Sequence, residues 1–320
     1  MRERTSTRAR AEVIAATSFA FAAAKSSRLR TTQNKHRFAP RALHRFQYDR
    51  DMRGLITFIL LFGSATAYAQ RAPDLATLDR GDGITKLGLD LGFSSLSKPP
   101  YSAALRFELW GQYVTDSGIG FYGALPLSRS FGSDGPPLQP DNATSLSNLD
   151  LGGLFVRSGE SMSWVFRGGV ALPTATGGVD EAATRYYATA PRLTDIALAS
   201  NDWYVRLAVS PLIHIDRMFL RADLGFDIDV DGNEYHYLRF NVGGGIDLKT
   251  VALSLELVNT ATFGAPNTFV RDEDFFHAVA FTVRFMGERF QPFLSVGLPI
   301  DEYRRDSIRF FLSGGLVVAF

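Results

Sequence analysis

The chain has 320 residues, 46% of them hydrophobic and 21% charged, and its lack of cysteine fits export to an oxidising compartment. No stretch approaches the roughly 18 to 20 consecutive apolar residues of a membrane-spanning helix, which excludes a helical membrane protein. The formal net charge of +1 averages a basic head and an acidic remainder, and the remainder has no basic run, which argues against a nucleic-acid partner.

The basic head ends at the stretch MRGLITFILLFGSATAYAQ, which starts at Met52. Arg53 supplies a positive start, 55–62 an apolar segment and 67–69 an Ala-x-Ala cleavage site, so we predict a secretory signal peptide over 52–69. Because a signal peptide begins a protein, we interpret residues 1–51 as an upstream, misassigned or disordered extension. These residues hold twelve Lys or Arg against four Asp or Glu.

This prediction divides the rest of the chain. The mature protein is expected to start near Gln70, with a periplasmic N-terminal segment at 70–83 and a membrane domain at 84–320. The alternative is that VIAATSFAFAAA, 13–24, is itself an export or organelle-targeting sequence.

From Gly83 onward the hydrophobic pattern has a period of two residues, which is typical of β-strands with two unlike faces. In KLGLDLGF, 86–93, apolar residues alternate with glycine and aspartate. Most of the predicted strands have the length of a tilted membrane-spanning strand, about 9 to 11 residues or slightly more. Twelve are predicted, at about 86–93, 102–113, 118–127, 147–157, 162–172, 202–213, 217–230, 234–248, 250–260, 275–286, 289–299 and 307–320.

The connections between these strands alternate in length. Even-numbered strands are followed by tight turns, such as KT at 249–250, whereas the links at about 128–146, 173–201 and 261–274 are long. Short turns on one rim and long loops on the other are typical of outer-membrane barrels. The sequence therefore predicts an all-β fold, a transmembrane antiparallel up-and-down β-barrel, with ten or fourteen strands as alternatives if a hairpin is misread at Pro126 or Pro292.

One face of the predicted strands is apolar and the other carries the charges. Alternation alone does not decide which face is outside, but the signal peptide, the strand length and the apolar C-terminus indicate that the apolar face contacts lipid. The charged side chains are then either solute contacts or a mutually neutralising network. The predicted lumen-lining residues are Arg106, Glu108, Arg167, Arg206, Arg221, Asp223, Arg239 and Arg284, and Arg309 shares their face.

The chain ends with LSGGLVVAF, in the middle of a predicted strand. Ser313, Gly315, Val318 and Phe320 follow the spacing polar-x-Gly-x-x-apolar-x-aromatic, which resembles the β-signal recognised by the barrel-assembly machinery of Gram-negative outer membranes. We expect this strand to pair with the first one, with the even-numbered residues from Ile308 onward facing lipid.

The long link after the fifth predicted strand contains GGVDEAATRYYATAPRL, 177–193. Apolar and aromatic residues recur there at helical spacing before Pro191, which predicts a short helix in or over the outer mouth. Twelve strands enclose a constricted lumen, so such a helix would plug it. The alternative is a mobile surface loop.

Two chemical motifs are present only in part. DIDVDGNE resembles the start of a Ca²⁺ loop through Asp227, Asp229 and Asp231, yet the twelfth position is Leu238 instead of a bidentate Glu, so lumenal aspartates and a hairpin turn are the preferred interpretation. The histidines of the mature chain, His214, His236 and His277, lack the His-x-Ser pair of outer-membrane lipid hydrolases. No catalytic residue, no metal and no cofactor is predicted.

The stretch LDLGGLFVRSGESMSWVFRGGVALPT, 149–174, resembles part of a family of outer-membrane proteins associated with meta-cleavage pathways for phenol and other aromatics. That resemblance implies transport of hydrophobic compounds. The chain departs from the family pattern after Pro-Thr, where Ala175 and Thr176 precede the expected glycine.

These patterns favour an outer-membrane channel or facilitated transporter for small molecules, including hydrophobic ones. The expected partners are the lipid bilayer, the barrel-assembly machinery and an unidentified solute. The alternative is a non-conducting surface protein whose extracellular loops bind a partner.

Overall fold

The computed structural model describes residues 80–97, 101–132, 142–232, 235–264 and 275–320. The predicted extension 1–51, the signal peptide 52–69 and most of the predicted segment 70–83 lie outside the described residues. Neither α-helix in the described ranges is long and apolar enough to cross a membrane.

The described residues form one antiparallel sheet that closes on itself. Strands β4 and β5 follow each other along β3 and act as one interrupted strand, so the ring has twelve positions, as predicted. Pairing of β1 with β13 and of β2 with β3 closes the barrel. The strands are β1 Lys86–Leu96, β2 Tyr101–Val114, β3 Ile119–Gly132, β4 Thr144–Leu146, β5 Leu149–Ser158, β6 Met162–Leu172, β7 Tyr204–Ile215, β8 Met218–Asp229, β9 His236–Asp247, β10 Val251–Phe263, β11 Phe275–Phe285, β12 Phe290–Pro299 and β13 Ile308–Ala319.

The two rims of the barrel differ in the length of their connections, as the sequence predicts. One rim carries only tight turns, at 115–118, 159–161, 216–217, 248–250 and 286–289. The other rim carries the long connections and the helical structure of the described ranges. Short turns face the periplasm in outer-membrane barrels, so the long connections are extracellular.

The barrel is apolar outside and charged inside. Leu91 on β1 is 57% exposed and Leu294 on β12 is 65% exposed, whereas Glu108 and Glu256 are 0% exposed. This arrangement is the inverse of a soluble barrel, and an exposed apolar band around the whole wall needs lipid to cover it. The prediction that the apolar face contacts lipid is confirmed.

The last strand closes the barrel but carries an irregularity that the sequence analysis missed. Lys86 pairs with Ala319, and the amide N of Phe320 donates a hydrogen bond of 3.0 Å to the carbonyl of Thr85. At the other end, the register shifts so that Leu96 pairs with Ile308. The predictions that Ile308 faces lipid and Arg309 faces the lumen are therefore wrong: Ile308 is 1% exposed and Arg309 is exposed.

The connection between β6 and β7 folds into the barrel. It contains helix α1, Val179–Ala188, where the sequence predicts a helix, followed by a 3₁₀ segment, Ala190–Leu198, whose residues are all buried. Ala190 and Leu193 pack with residues of β7, β8 and β10, while Ile196, Ala197 and Leu198 pack with Tyr204 and Tyr237. We call residues 179–198 the inner plug. The second helix, α2, Glu302–Ser307, lies in the extracellular connection between β12 and β13.

Candidate functional site: the barrel lumen

All eight residues predicted to line the lumen lie on the inner face of the wall. Seven are buried and Arg167 is half-buried, with its Cζ 3.7 Å from the centre of the Tyr122 ring. The structure divides them into a large group around β2, β6, β7 and β9, one ion pair and one arginine that lies over an aromatic ring. The latter two are Arg221 with Asp223, at 3.2 Å, and Arg284, whose Cζ lies 4.9 Å from the centre of the Phe293 ring.

The centre of the large group is Asp195, a residue of the inner plug. Its Oδ2 lies 2.8 Å from Nη2 of Arg106 on β2, and its Oδ1 lies 3.3 Å from Nη2 of Arg206 on β7. Arg192, also in the plug, contacts Oδ2 through Nε at 2.9 Å. Because β2 and β7 are not neighbours in the sheet, one carboxylate joins two separate parts of the wall to the plug.

The wall arginines have further carboxylate partners. Arg106 binds Glu108 through Nε at 3.0 Å and Nη2 at 2.7 Å. Arg206 pairs with Asp227 at 3.0 Å and also with Asp150, and Arg239 pairs with Asp227 at 3.0 Å. Both signs of charge therefore alternate through the lumen, which is how a buried set of ionised groups avoids uncompensated charge.

A second piece of chain approaches this network from the periplasmic side. Arg80, which the sequence analysis assigned to a periplasmic segment, lies inside the barrel and binds Glu108 through Nη1 at 2.6 Å and also Asp90. Its Cζ lies 4.4 Å from the centre of the Trp110 ring, and Arg221 donates a hydrogen bond of 2.9 Å to the carbonyl of Gly81. The described end of the N-terminal segment thus packs against the wall.

The pKa values of Asp195 in the inner plug and of Arg80 before β1 depend on this network. Burial by itself would raise the pKa of Asp195, but the guanidinium groups of Arg192, Arg106 and Arg206 hold it well below its usual range. Burial likewise lowers the pKa of Arg80, and the carboxylates of Asp90 and Glu108 more than offset this. Asp195 therefore stays ionised at neutral and mildly acidic pH, so the contacts of the inner plug persist there.

The inner plug leaves little free space. A cavity of about 40 Å³ remains between the plug and the wall, lined by groups such as Asp150, Arg239 and Tyr122. Within the described part of the chain, Oδ1 of Asp150 and Nε of Arg239 have no hydrogen-bond partner. A cavity of this size is large enough for water, which such groups require. Around Asp195, the described lumen therefore contains the plug and small polar gaps.

The three aspartates of the weak cation motif do not converge on a common point. Asp227 points into the lumen and binds Arg206 and Arg239, while Asp231 accepts a hydrogen bond of 3.0 Å from the backbone N of Trp203. Asp229 accepts from the backbone N of Asp231 at 2.8 Å. Over the described ranges, no group of three or more His, Asp or Glu residues is arranged to hold a metal ion.

The histidines show no nucleophile within hydrogen-bonding distance. Nδ1 of His277 lies 2.7 Å from Oδ1 of Asn259, and Nδ1 of His236 accepts from the backbone N of Asp229 at 3.0 Å. No hydroxyl group in the described ranges hydrogen-bonds to either of them or to His214. The arrangement does not supply the hydroxyl that hydrolysis by a serine or threonine requires.

Three residues that link the lumen to its contents, Arg80, Arg192 and Asp195, are not predicted from the sequence. One local signal was available. Within APRLTDIAL the two charged side chains, Arg192 and Asp195, are surrounded by apolar residues in a stretch that is buried. A charge in such a stretch needs an ionic partner, although the sequence does not say which one.

A carboxylate at the extracellular rim gives a pH-dependent prediction. Burial, followed by the nearby carboxylates of Asp229 and Asp231, raises the pKa of Asp202 to about 6. A raised pKa means that the folded state binds this proton more tightly, so its contribution to stability is present below about pH 4 and is lost as the pH rises through 6. We expect Asp202→Asn to stabilise the barrel by about 1 kcal/mol at pH 8, after allowing for solvent screening, and not at pH 4.

Urea unfolding of the refolded barrel at both pH values measures this difference. Asp116→Asn, in the exposed turn between β2 and β3, removes the same charge at the other rim and serves as the control. An equal gain for Asp202→Asn at both pH values would contradict the prediction.

Solved structures with a similar fold are bacterial membrane barrels. An outer-membrane channel from Pseudomonas putida F1 has a TM-score of 0.50 and 12% sequence identity, over 78% of this chain and 100% of that chain. The KdgM porin in complex with disordered oligogalacturonate has a TM-score of 0.43 at 10% identity, over 73% and 99%. LpxR from Salmonella typhimurium has a TM-score of 0.45 at 11% identity, over 73% and 100%.

No protein-family model and no curated protein sequence matches this chain. The resemblance to the family associated with meta-cleavage pathways is therefore not supported by a family match. The shared fold and the apolar exterior assign the chain to the β-barrels of the Gram-negative outer membrane.

Proposed function

We propose that this barrel is a gated outer-membrane channel for small molecules, in which the inner plug controls passage. The observation that carries the proposal is the way in which the plug is held. It is a chain segment outside the sheet, and the ion pairs of Asp195 with Arg106 and Arg206 join it to two separate parts of the wall. Hydrogen bonds such as the 2.8 Å contact of Thr184 with Ser130 and apolar packing add to these ion pairs. The Pseudomonas putida barrel with the same fold is described as a channel.

The lining suits passage of solutes through water. Charged and hydroxyl groups also lie on the inner face of β10, β11 and β12, for example Glu256, which accepts a hydrogen bond of 3.0 Å from Thr282, and Ser295, 2.9 Å from the same hydroxyl. When the plug moves, these groups can exchange their partners for water at little cost. Opening then needs no break in the sheet.

Planar-bilayer recordings on the refolded mature protein test the proposal. We expect discrete current steps of low open probability, since the described lumen is nearly filled. A membrane that stays sealed at all voltages would instead favour the non-conducting surface protein. Liposome swelling with sugars, amino acids and small aromatic compounds would then identify the class of solute, including the hydrophobic compounds implied by the sequence resemblance.

We also propose that the protein reaches the membrane through its signal peptide and the barrel-assembly machinery. The C-terminal strand supports the second step: Ser313 and Gly315 lie on the inner side of β13, while Val318 and Phe320 lie on the outer side, and the ring of Phe320 is exposed at the periplasmic rim. An exposed terminal aromatic residue is accessible to an assembly factor before the barrel closes.

A further inference from the structure

A buried guanidinium group lies at the extracellular end of the lumen, outside the ion-pair network. Arg304, on helix α2, is 2% exposed. Its Cζ lies 3.7 Å from the centre of the Phe276 ring on β11 and 4.4 Å from the centre of the Tyr186 ring on helix α1. The guanidinium thus connects the loop, the wall and the inner plug.

All three side-chain nitrogens of Arg304 lack a hydrogen-bond acceptor among the described residues. The carboxylate three positions earlier does not supply one. Oδ1 of Asp301 accepts from the backbone N of Arg304 at 2.7 Å, and its Oδ2 accepts from the backbone N of His277 at 3.0 Å. Aromatic rings stabilise the two faces of a guanidinium but leave the donors at its edge unsatisfied.

The surroundings of this edge indicate what would satisfy it. An arginine edge presents parallel N–H donors that match the two oxygens of a carboxylate. The neighbouring buried cluster is apolar and aromatic, including Ile196, Tyr204 and Tyr237 in addition to Phe276. A ligand that fits both features has a carboxylate attached to an apolar, preferably aromatic, body.

We infer that Arg304 anchors a binding site for small organic carboxylates at the extracellular end of the lumen. In the described state Tyr186 covers one face of the guanidinium, so a carboxylate reaches its edge when helix α1 shifts away from α2. This inference rests on the proposed channel function for the route by which the ligand enters. It adds the class of solute, small organic carboxylates.

Isothermal titration calorimetry on the detergent-solubilised mature protein at pH 7 tests the site, with benzoate as ligand and benzamide as its uncharged analogue. We expect benzoate to bind and benzamide not to bind. This comparison uses only the unmodified protein, so it does not depend on the folding of a variant. Equal binding of the two compounds, or binding of neither, would overturn the inference.

Two adjacent substitutions on helix α2 provide the residue-level test. Arg304→Gln should weaken benzoate binding on the order of tenfold to a hundredfold, the loss expected for charge-assisted hydrogen bonds. Arg305→Gln removes the same charge from an exposed position of the same helix and should leave binding unchanged. Equal weakening by both variants would show general charge attraction and would reject a site at Arg304.

A third ligand separates carboxylate recognition from general anion binding. Inorganic phosphate should bind more weakly than benzoate because it cannot fill the apolar surroundings, and phosphate binding as tight as that of benzoate would overturn the assigned ligand class. Binding is measured without a membrane and is therefore independent of the bilayer recordings. If benzoate does not bind but current steps are present in bilayers, the carboxylate site is rejected and the channel proposal remains. If benzoate binds but no current is recorded, the channel proposal is rejected and the carboxylate site remains.

Discussion

Replacement of the inner plug, residues 179–198, by a short Gly-Ser linker is expected to raise single-channel conductance severalfold. The plug lies in the lumen and contacts the wall at Arg106 and Arg206, with a cavity of about 40 Å³ beside it. Without it, the twelve-strand wall would enclose a continuous hydrated path lined by charges. Recordings of the variant and the unmodified protein in the same bilayer, at the same salt concentration, measure the effect.

A replacement in another long connection gives the control. The connection between β3 and β4 is also long and extracellular, and replacing 133–141 by Gly-Ser residues alters a loop without removing the plug. We expect this control to keep the conductance of the unmodified protein. Folding of the variant is checked on a gel, where an unheated folded barrel migrates as a compact band. If the folded variant had an unchanged conductance, the plug would have no blocking role.

Asp195→Asn is expected to release the plug without removing it. The substitution is nearly isosteric, but it takes one carboxylate away from Arg106, Arg192 and Arg206 together. Removing one partner of a buried ion pair costs about 3 kcal/mol or more, because the remaining charges are left uncompensated. On a gel, we expect the compact band of the folded barrel to disappear at a lower temperature than for the unmodified protein. In bilayer recordings, we expect frequent spontaneous current steps.

Asp116→Asn again serves as the matched control, since it removes an exposed carboxylate at the periplasmic rim. A second comparison uses Asp180→Asn, in the first turn of helix α1, whose exposed carboxylate accepts a hydrogen bond of 3.3 Å from Tyr101 on β2 but has no ion pair with a lumenal arginine among the described contacts. If Asp195→Asn behaved like these two variants in both measurements, the ion pairs of Asp195 would not be what holds the plug.

Much of the wall follows directly from the sequence. Strict alternation, as in Leu87, Leu89 and Leu91 against Gly88 and Asp90, leaves a strand with only one orientation in which each face meets a suitable environment. The length of the connections then distinguishes the periplasmic rim, with its short turns, from the extracellular rim. The strands, their number and the helix near 177–190 therefore follow from the sequence alone.

The errors occur where the period of two is interrupted. On β13 the register shift opposite Ser95 and Leu96 turns Ile308 inward and Arg309 outward, because one additional residue exchanges the faces of everything before it. Arg80 was missed for a different reason: it precedes the first strand, and its partners Glu108 and Asp90 are identified only when β1 and β2 lie side by side.

The sequence by itself determined a membrane barrel, its inward-facing charges and a helix in the longest described connection, because alternation, turn length and helical spacing are local patterns. Only the tertiary structure decided which charges meet. Asp195 binds Arg106 and Arg206 across 89 and 11 positions of chain, and Arg304 lies between rings from two distant segments. Such pairings depend on the closure of the ring and on the insertion of the plug, which bring together groups whose spacing in the chain carries no periodic signal.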